Sequence, residues 1–237
     1  MKPYYERDGI TLYHADCRDV LRGMESESVD FVLTDPPYLV SYRPSQYKVR
    51  WPKNRGVIQG DNDGRWLAPV FSDLWRVLVA DSLCLSFYGW PNADAFMTVW
   101  KLVGFRPVSQ IVCVKNGFGL GYFSRAQHES AILLAKGKPK KPARAISDVL
   151  DWRRVIHAEH QNQKPLAMIS TLMAAYAPRK SLVVDPFCGS GTTLIAARDL
   201  GHRAIGVELE ERYCEIAAKR LLEPRETEMQ VVKDSRL

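Results

Sequence analysis

The residues with the clearest chemical potential are Asp35-Pro36-Pro37-Tyr38, in the stretch LTDPPYLV that follows an apolar run. Aspartate supplies a hydrogen-bond acceptor, and proline fixes φ and removes a donor, so the neighbouring carbonyl groups are held in place. The tyrosine that closes the unit offers an aromatic face on which a planar ring can stack. A proline-rich turn after a strand is the alternative, because Asp-Pro also starts turns.

A second candidate site lies near the C-terminus, in LVVDPFCGSGTTLIAARDLGHRAIGVE. An apolar strand is predicted to end at Asp185, and the turn Gly189-Ser190-Gly191 then opens a helix. Glycines let the backbone approach a ligand closely, and a helix N-terminus offers unpaired N–H donors. Glu208 follows about twenty residues later, at the end of the next strand, where a carboxylate can accept hydrogen bonds from ribose hydroxyls.

This glycine loop departs from the two common phosphate-binding motifs. The run G-S-G-T-T-L lacks the third glycine of a dinucleotide fingerprint, and no lysine precedes Thr192 as a P-loop requires. Asp185 would repel a pyrophosphate but suits a ligand with a cationic amino-acid end. A tight strand-to-helix turn that binds nothing is the structural alternative.

Both candidate sites follow apolar runs, so a sheet must position them. Short apolar strands alternate with amphipathic helical patterns, which is typical of an α/β fold with a largely parallel sheet. The predicted strands are 10–14, 29–34, 82–88, 108–115, 130–135, 182–185 and 203–208, and the predicted helices are 66–79, 93–103, 164–177, 192–200 and 209–222. We expect one domain, residues 1–237, with inserted loops at about 39–65 and 136–160.

Composition narrows the class of protein. The chain has 237 residues, of which 46% are hydrophobic, and this suffices for one substantial domain. No apolar stretch approaches about eighteen residues and the N-terminus has no signal-peptide core, so we expect no membrane span and a cytoplasmic location. Five widely spaced cysteines without a CxxC pair predict neither a disulfide framework nor a zinc site, and no metal is expected.

The net charge of +6 is compatible with a polyanionic partner. SYRPSQYKVRWPKNRG (41–56) contains no acid and interleaves basic with aromatic side chains, a combination that suits phosphates and stacked bases. KGKPKKPAR (136–144) is a second basic run, and a solvated loop is the alternative interpretation of each. The candidate nucleic-acid contacts are Arg43, Tyr47, Lys48, Arg50, Trp51, Arg55, Lys138, Lys140 and Lys141.

Together the motifs resemble those of a known family. DPFCGSGTT (185–193) is similar to the S-adenosylmethionine loop of amino-group DNA methyltransferases, and DPPY (35–38) is similar to their catalytic motif. HESAILLAKG (128–137) resembles a later strand of the family, and HQNQKP (160–165) resembles the helix-opening motif before the glycine loop. The catalytic motif precedes the cofactor loop, which is the order of the permuted β group. The two motifs in this order are more specific to the family than either motif alone.

The resemblance implies a Rossmann-like S-adenosylmethionine-dependent methyltransferase fold, with a seven-stranded, mostly parallel sheet, one antiparallel strand and helices on both faces. The strands before Asp16, Asp35, Asp185 and Glu208 would end at the same edge, where open α/β sheets bind ligands. The implied cofactor residues are Asp185, Phe187, Gly189, Gly191 and Thr192 at the methionine end, Glu208 at the ribose, Asp16 and Cys17 at the adenine, and Lys164 near the methionine carboxylate. An exposed lysine in the first turn of a helix is the alternative interpretation of Lys164.

The implied reaction transfers a methyl group from S-adenosylmethionine to the exocyclic N6 amino group of adenine in DNA. The lone pair of that nitrogen is delocalised into the ring, so the site must free it and aim it. Asp35 and the Pro36 carbonyl would accept its two N–H hydrogens, and Tyr38 would stack on the base, typically worth ~1–3 kcal/mol. A base inside a duplex reaches such a site only if it is flipped out, so DNA is the expected partner.

Other substrates and a different class of protein stay open at this point. An aspartate leading the motif resembles N6-adenine enzymes, whereas serine is commoner among N4-cytosine enzymes. C5-cytosine chemistry needs a cysteine nucleophile that 35–38 lacks, and RNA or protein amide methylation usually places the cofactor loop first. A different functional class is also open: the protein could keep the fold and act as a non-catalytic, DNA-binding regulatory protein.

The chain has little room for a target-recognition insert, since only some two dozen residues separate HESAILLAKG from HQNQKP. We therefore predict a short or relaxed recognition sequence, which fits a compact phage- or prophage-type modification enzyme. Any restriction activity would come from a separate cognate enzyme. Dimers occur in the β group, so a homodimer is expected. His202, beside Gly201, is predicted to cap the end of the preceding helix.

Overall fold

A computed structural model describes residues 1–40, 63–119, 123–142, 145–152 and 163–224. In these ranges the strands are β1 (Tyr5–Arg7), β2 (Ile10–His14), β3 (Val29–Thr34), β4 (Leu78–Tyr88), β5 (Arg106–Lys115), β6 (His128–Lys136), β7 (Val149–Trp152), β8 (Leu182–Asp185) and β9 (Arg203–Glu208). The α-helices are α1 (Cys17–Gly23), α2 (Leu67–Val77), α3 (Ala93–Leu102), α4 (Leu166–Tyr176), α5 (Thr192–Asp199) and α6 (Glu211–Leu222). Short 3-10 turns precede α2 and α3.

The strands form one sheet in the order β1-β2-β9-β8-β3-β4-β6-β5-β7. Strand β6 is antiparallel to both of its neighbours, and β1 is antiparallel to β2. The other neighbouring pairs are parallel. The seven strands from β2 to β5 in this order therefore contain one antiparallel member, which confirms the fold class that the resemblance implies.

Two strands and one helix were missing from the sequence prediction. The structure adds β1 and β7 at the two edges of the sheet and places α1 after β2. These elements have three, four and seven residues, too few to produce a clear hydrophobic period. Part of the segment 136–160, which was expected to be a loop, instead forms the edge strand β7, which pairs with β5.

The core consists of two apolar layers, one on each face of the sheet. Strand β3 shows how the sequence builds both layers, because successive side chains of a strand point to opposite faces. Phe31 packs in the layer beneath α4, α5 and α6, whereas Val32 packs in the layer with Phe71 of α2 and Trp100 of α3. All four side chains are fully buried. The strands that carry the candidate site are therefore held from both sides.

His202 caps the end of α5 through its backbone N–H, which donates to the Ala197 carbonyl at 2.8 Å, and not through its side chain. Its Nδ1 atom accepts a hydrogen bond from the backbone N–H of Ser181 at 3.2 Å and lies 3.0 Å from the Ser181 hydroxyl. Burial lowers the pKa of His202, so the ring is held in its neutral form rather than as a cation at the helix end. The residue joins the start of β9 to the turn before β8.

Candidate active site

Four neighbouring parallel strands bring the acidic candidate residues to one edge of the sheet. Strands β2, β9, β8 and β3 lie side by side and point the same way. Because the carboxyl ends of parallel strands meet at one edge, the residues that follow or end them share that edge. These residues are Asp16, Glu208, Asp185 and Asp35. DPPY and the glycine loop, far apart in the chain, are thus neighbours in space.

Asp35 accepts contacts from two donors. The Tyr38 hydroxyl donates to Asp35 Oδ1 at 2.6 Å, and the Lys164 ammonium pairs with Asp35 Oδ2. Lys164 is almost completely buried, so its interpretation as an exposed first-turn lysine was wrong. It lies just before α4, and its ammonium contacts the Asp35 carboxylate, while its place near the methionine carboxylate of a cofactor stays a prediction. Its Nζ atom lies 4.7 Å from the centre of the Phe87 ring.

Glu129 and Lys115 extend this charged cluster and were not among the predicted site residues. Glu129 Oε1 is 2.5 Å from Lys115 Nζ, and its Oε2 is 3.2 Å from Lys164 Nζ. The antiparallel direction of β6 explains the location, since its first residues lie at the edge where β4 and β5 end. The available sequence signal was an acid at the start of the largely apolar strand β6 and a base at the end of β5.

The ionisation of each group in this cluster depends on its burial and on the opposite charges beside it. Burial opposes ionisation of Glu129, but Lys164 and Lys115 outweigh it and lower the pKa of Glu129 to about 2. Burial likewise favours neutral Lys164, yet Asp35 and Glu129 raise its pKa above the usual value. Burial raises the pKa of Asp35, against the opposing charge of Lys164. Two carboxylates and two ammonium groups share the pocket.

The turn after DPPY has a strained backbone that a neighbouring segment holds. Leu39 has φ +61°, a conformation that costs free energy for a residue with a Cβ atom. The Asn92 side-chain amide donates to the carbonyl oxygens of both Tyr38 and Leu39, each at 3.0 Å. A Cβ atom at Gly89 would lie 2.7 Å from Tyr38 Cβ, so only glycine permits this approach. The sequence prediction missed both positions, which follow strand β4.

The glycine loop is tied directly to the acid of the next strand. Gly189 has φ +51°, and a Cβ atom there would meet nothing within 4 Å. Its backbone N–H donates to Glu208 Oε2 at 3.0 Å, while Glu208 Oε1 accepts from the Glu210 N–H at 2.8 Å. The open space beside Gly189 and the adjoining carboxylate fit a ligand that carries hydroxyl groups.

Gly191 and Thr192 face the neighbouring helix. Gly191 has φ +81°, and a Cβ atom there would lie 2.8 Å from the Ala217 side chain of α6. The Arg220 guanidinium donates to the Ser190 carbonyl at 2.6 Å and lies 3.3 Å from the Thr192 hydroxyl. The structure thus gives both residues a role in packing the turn against α6. Their predicted contact with a cofactor stays a prediction.

Asp185 is a buried carboxylate at the end of β8. It accepts a hydrogen bond from the Phe187 N–H at 3.1 Å, yet burial raises its pKa to about 7. The Phe187 ring packs edge-on against Trp66 with ring centres 5.0 Å apart. A cationic group bound beside Asp185 would compensate its charge.

Asp16 caps helix α1. Its Oδ1 accepts from the Arg18 N–H at 2.9 Å, and the Arg18 guanidinium pairs with both carboxylate oxygens. This pairing lowers the pKa of Asp16. Cys17 is buried beneath it, with its pKa raised to about 12 by burial, so its thiol has no nucleophilic character. The predicted adenine contact of both residues stays a prediction.

The structure does not bring the second basic run to this edge. Strand β6 ends at Lys136, at the opposite end of the sheet, where β4 starts. There the Lys138 N–H donates to Asp81. Lys140 and Lys141 follow and are exposed. These lysines therefore lie away from Asp35. The remaining candidate DNA contacts, Arg43, Tyr47, Lys48, Arg50, Trp51 and Arg55, lie outside the described residues.

A hairpin between β5 and β6 projects from the site edge. Its backbone pairing continues past the strands, where the Gly119 N–H donates to the Ala126 carbonyl at 2.6 Å. Phe118 and Phe123 are 60% and 98% exposed, and the Arg125 guanidinium lies 5.0 Å from the Phe118 ring centre. The sequence from 114 to 128 contains no acid. Exposed aromatic and basic groups thus flank the charged cluster.

In the described part of the chain, no helix is long and apolar enough to cross a membrane. The same residues contain no group of three or more His, Cys, Asp or Glu side chains arranged to hold a metal ion.

Residues 29–219 match the model of the family described as DNA methylase, N6/N4 methyltransferase. The Escherichia coli (strain K12) protein YubD, whose name places it among the methylases, is 38% identical over 206 residues, covering 87% of each chain. The type II methyltransferase M2.LlaDCHI of Lactococcus lactis subsp. cremoris is 27% identical over 256 residues, covering 93% of this chain and 92% of the relative. The chain therefore belongs to the N6/N4 DNA methylase family.

Solved structures support the same fold. The M1.HpyAVI–SAM complex superposes with a TM-score of 0.67 at 23% identity, covering 90% of this chain and all of that one. The PvuII DNA methyltransferase, described as cytosine-N4-specific, gives a TM-score of 0.74 at 17% identity, covering 94% and 89%.

Proposed function

We propose that the protein transfers a methyl group from S-adenosylmethionine to the N6 amino group of adenine in DNA. The observation that carries the proposal is the placement of Asp35 beside the glycine loop, at one edge of the sheet. Membership of the DNA methylase family supports the reaction class, and an aspartate at the head of DPPY favours adenine over cytosine.

The glycine-loop edge fits S-adenosylmethionine, which supplies an electrophilic methyl group on a sulfonium. Glu208, already bonded to the Gly189 N–H, would accept from the ribose hydroxyls. Asp185, whose charge is uncompensated in its buried position, would face the cationic amino group. The cofactor bound in the M1.HpyAVI complex supports this assignment for a chain of the same fold.

The DPPY turn would hold and aim the target amino group. Lys164 and Tyr38 fix the orientation of the Asp35 carboxylate, which still has lone pairs to accept an N–H. The Pro36 carbonyl would accept the second N–H, so that the nitrogen lone pair is released toward the methyl donor. Alignment of reacting groups about 3–3.5 Å apart can supply several kcal/mol of the barrier.

DNA would lie across the carboxyl edge of the sheet. The β5–β6 hairpin presents Phe118, Phe123 and Arg125 there, a set that suits stacked bases and phosphates. A base within a duplex must be flipped out to reach Asp35. We also propose a short or relaxed recognition sequence. The segment between β6 and α4 is short, and β7 occupies part of it.

The test is product analysis with a matched variant. The purified protein is incubated with DNA and isotopically labelled S-adenosylmethionine, and the DNA is digested to nucleosides for mass spectrometry. We expect labelled N6-methyldeoxyadenosine, and we expect Asp35→Asn to lower kcat by about 10²–10³-fold, because it replaces a charged transition-state acceptor with a neutral amide.

Labelled N4-methyldeoxycytidine as the product would overturn the assignment of adenine. Calorimetric binding of S-adenosylmethionine without transfer to DNA would favour the regulatory, non-catalytic interpretation. Sequencing of the methylated DNA then gives the recognition sequence, and a long, strict site would contradict relaxed recognition.

A further inference from the structure

Glu129 bridges the reaction centre and the base of the β5–β6 hairpin. Its Oε1 atom is 2.5 Å from Lys115 Nζ, and its Oε2 atom is 3.2 Å from Lys164 Nζ and 3.3 Å from the Tyr38 hydroxyl oxygen. Its side chain is 22% exposed, and that of Lys164 is 7% exposed. One carboxylate thus contacts both of the donors that hold Asp35.

The Tyr38 hydroxyl has two acceptors within reach. It lies 2.6 Å from Asp35 Oδ1 and 3.3 Å from Glu129 Oε2. A hydroxyl has a single hydrogen, so a full bond to one carboxylate excludes a full bond to the other. The shorter bond occupies one lone pair of Asp35 Oδ1 and so competes with an incoming amino group for that oxygen. Rotation of the O–H toward Glu129 frees that lone pair without leaving a buried phenol unsatisfied.

The charge of Lys164 is likewise divided between Asp35 and Glu129. Lys164 lies between two carboxylates, so Asp35 neutralises only part of its charge. Without Glu129, Lys164 would be left with Asp35 as its carboxylate partner in the cluster. Lys164 would then compete more strongly with an incoming donor for Asp35.

We propose that Glu129 is a positioning residue for methyl transfer: it accepts the Tyr38 hydroxyl and shares Lys164 while the target amino group bonds to Asp35. The inference rests on the proposed function, because it requires a substrate amino group that donates to Asp35. Glu129 acts through Tyr38 and Lys164.

The main test is Glu129→Gln, which keeps the size of the side chain and one oxygen acceptor but removes the charge. We expect kcat to fall about 10–100-fold, in line with the loss of a charge-assisted hydrogen bond, while the DNA KM and the S-adenosylmethionine Kd stay within about threefold. In a Tyr38→Phe background the hydroxyl is gone and only the route through Lys164 remains, so adding Glu129→Gln should lower kcat by a smaller factor than it does in the wild type.

The pH profile separates positioning from a general loss of structure. The charged or titratable groups that act on Asp35 are Tyr38, Lys164, Glu129 and, at the end of β8, Asp185. Removing the negative charge of Glu129 makes ionisation of Asp35 easier, so the acid limb of kcat should move to lower pH. Glu215→Gln, which removes an exposed carboxylate on α6, is the matched control and should change neither kcat nor the profile.

Two results would overturn the inference and separate it from the proposed function. If the wild type methylates adenine and Glu129→Gln retains its kcat and acid limb, Glu129 has no positioning role although the proposed function stands. If the wild type methylates no DNA, the contact is tested by the ¹³Cζ NMR signal of Tyr38, assigned with Tyr38→Phe. We expect Glu129→Gln to shift that signal at pH 7, and an unchanged signal rejects the contact.

Discussion

At the residue scale, burial changes the ionisation of Asp185. Its pKa of about 7, raised by burial, means that the folded chain retains a proton that the unfolded chain loses near pH 4. The stability of the ligand-free protein should therefore fall as the pH rises from about 4 to 7. A bound cation would offset the charge, so that binding of the ligand and ionisation of Asp185 are coupled.

Asp185→Asn should raise the melting temperature of the ligand-free protein at pH 8 by about 5–10 °C and leave it nearly unchanged at pH 4. The amide stays neutral at both pH values, and three pKa units correspond to at most about 4 kcal/mol. The same variant should bind S-adenosylmethionine more weakly. Calorimetric melting across this pH range checks the first result, and titration calorimetry checks the second.

Asp19→Asn, on the exposed face of α1, is the matched control and should show no such pH dependence. A melting difference between wild type and Asp185→Asn that is equal at pH 4 and pH 8 would mean that Asp185 ionises normally in the folded chain.

At the scale of elements, the segment after β4 shapes the DPPY turn. Gly89 allows Tyr38 to approach, and Asn92 bonds the carbonyls on either side of the strained Leu39 backbone. Neither residue needs to touch a substrate. Their effect reaches the site through the backbone, since the position of Tyr38 depends on the carbonyls that Asn92 holds.

Asn92→Asp should lower kcat by about tenfold or more, because a carboxylate of the same shape cannot donate to the Tyr38 and Leu39 carbonyls. Adding Leu39→Gly should restore part of the loss, since glycine adopts positive φ without the strain. Steady-state kinetics of the single and double variants measure both effects. Full activity in Asn92→Asp would show that the turn holds its shape unaided.

At the scale of the whole molecule, the antiparallel direction of β6 separates the β5–β6 hairpin, which contains Arg125, from the lysines that follow β6. The β5–β6 hairpin lies at the carboxyl edge beside Asp35, whereas Lys138 and the lysines after it follow the other end of β6. A nucleic acid that delivers a base to Asp35 would pass the hairpin first.

The paired change Phe118→Ala and Phe123→Ala should raise the DNA KM by about tenfold or more, because base stacking is worth ~1–3 kcal/mol per base. Binding of S-adenosylmethionine should not change. Arg125→Gln should reduce the slope of log K against log salt by about one, as expected for one phosphate contact. Filter binding across a salt series measures both variants.

Leu102→Ala, an equally exposed apolar residue at the end of α3, is the control for the loss of surface area. Unchanged DNA affinity in the hairpin variant would place the DNA elsewhere, and the lysines after β6 would then need testing.

By itself, the sequence determined the fold class, seven of the strands, five helices and the two motifs that meet at the sheet edge. Those features depend on local periodicity and on residue order, which a single chain displays directly. The tertiary structure decided the partner of Lys164, the place of Glu129, the contacts of Asn92 and the side on which Lys138 lies. Each depends on which strands become neighbours and on the antiparallel direction of β6, and long-range pairing leaves no periodic signal in the chain.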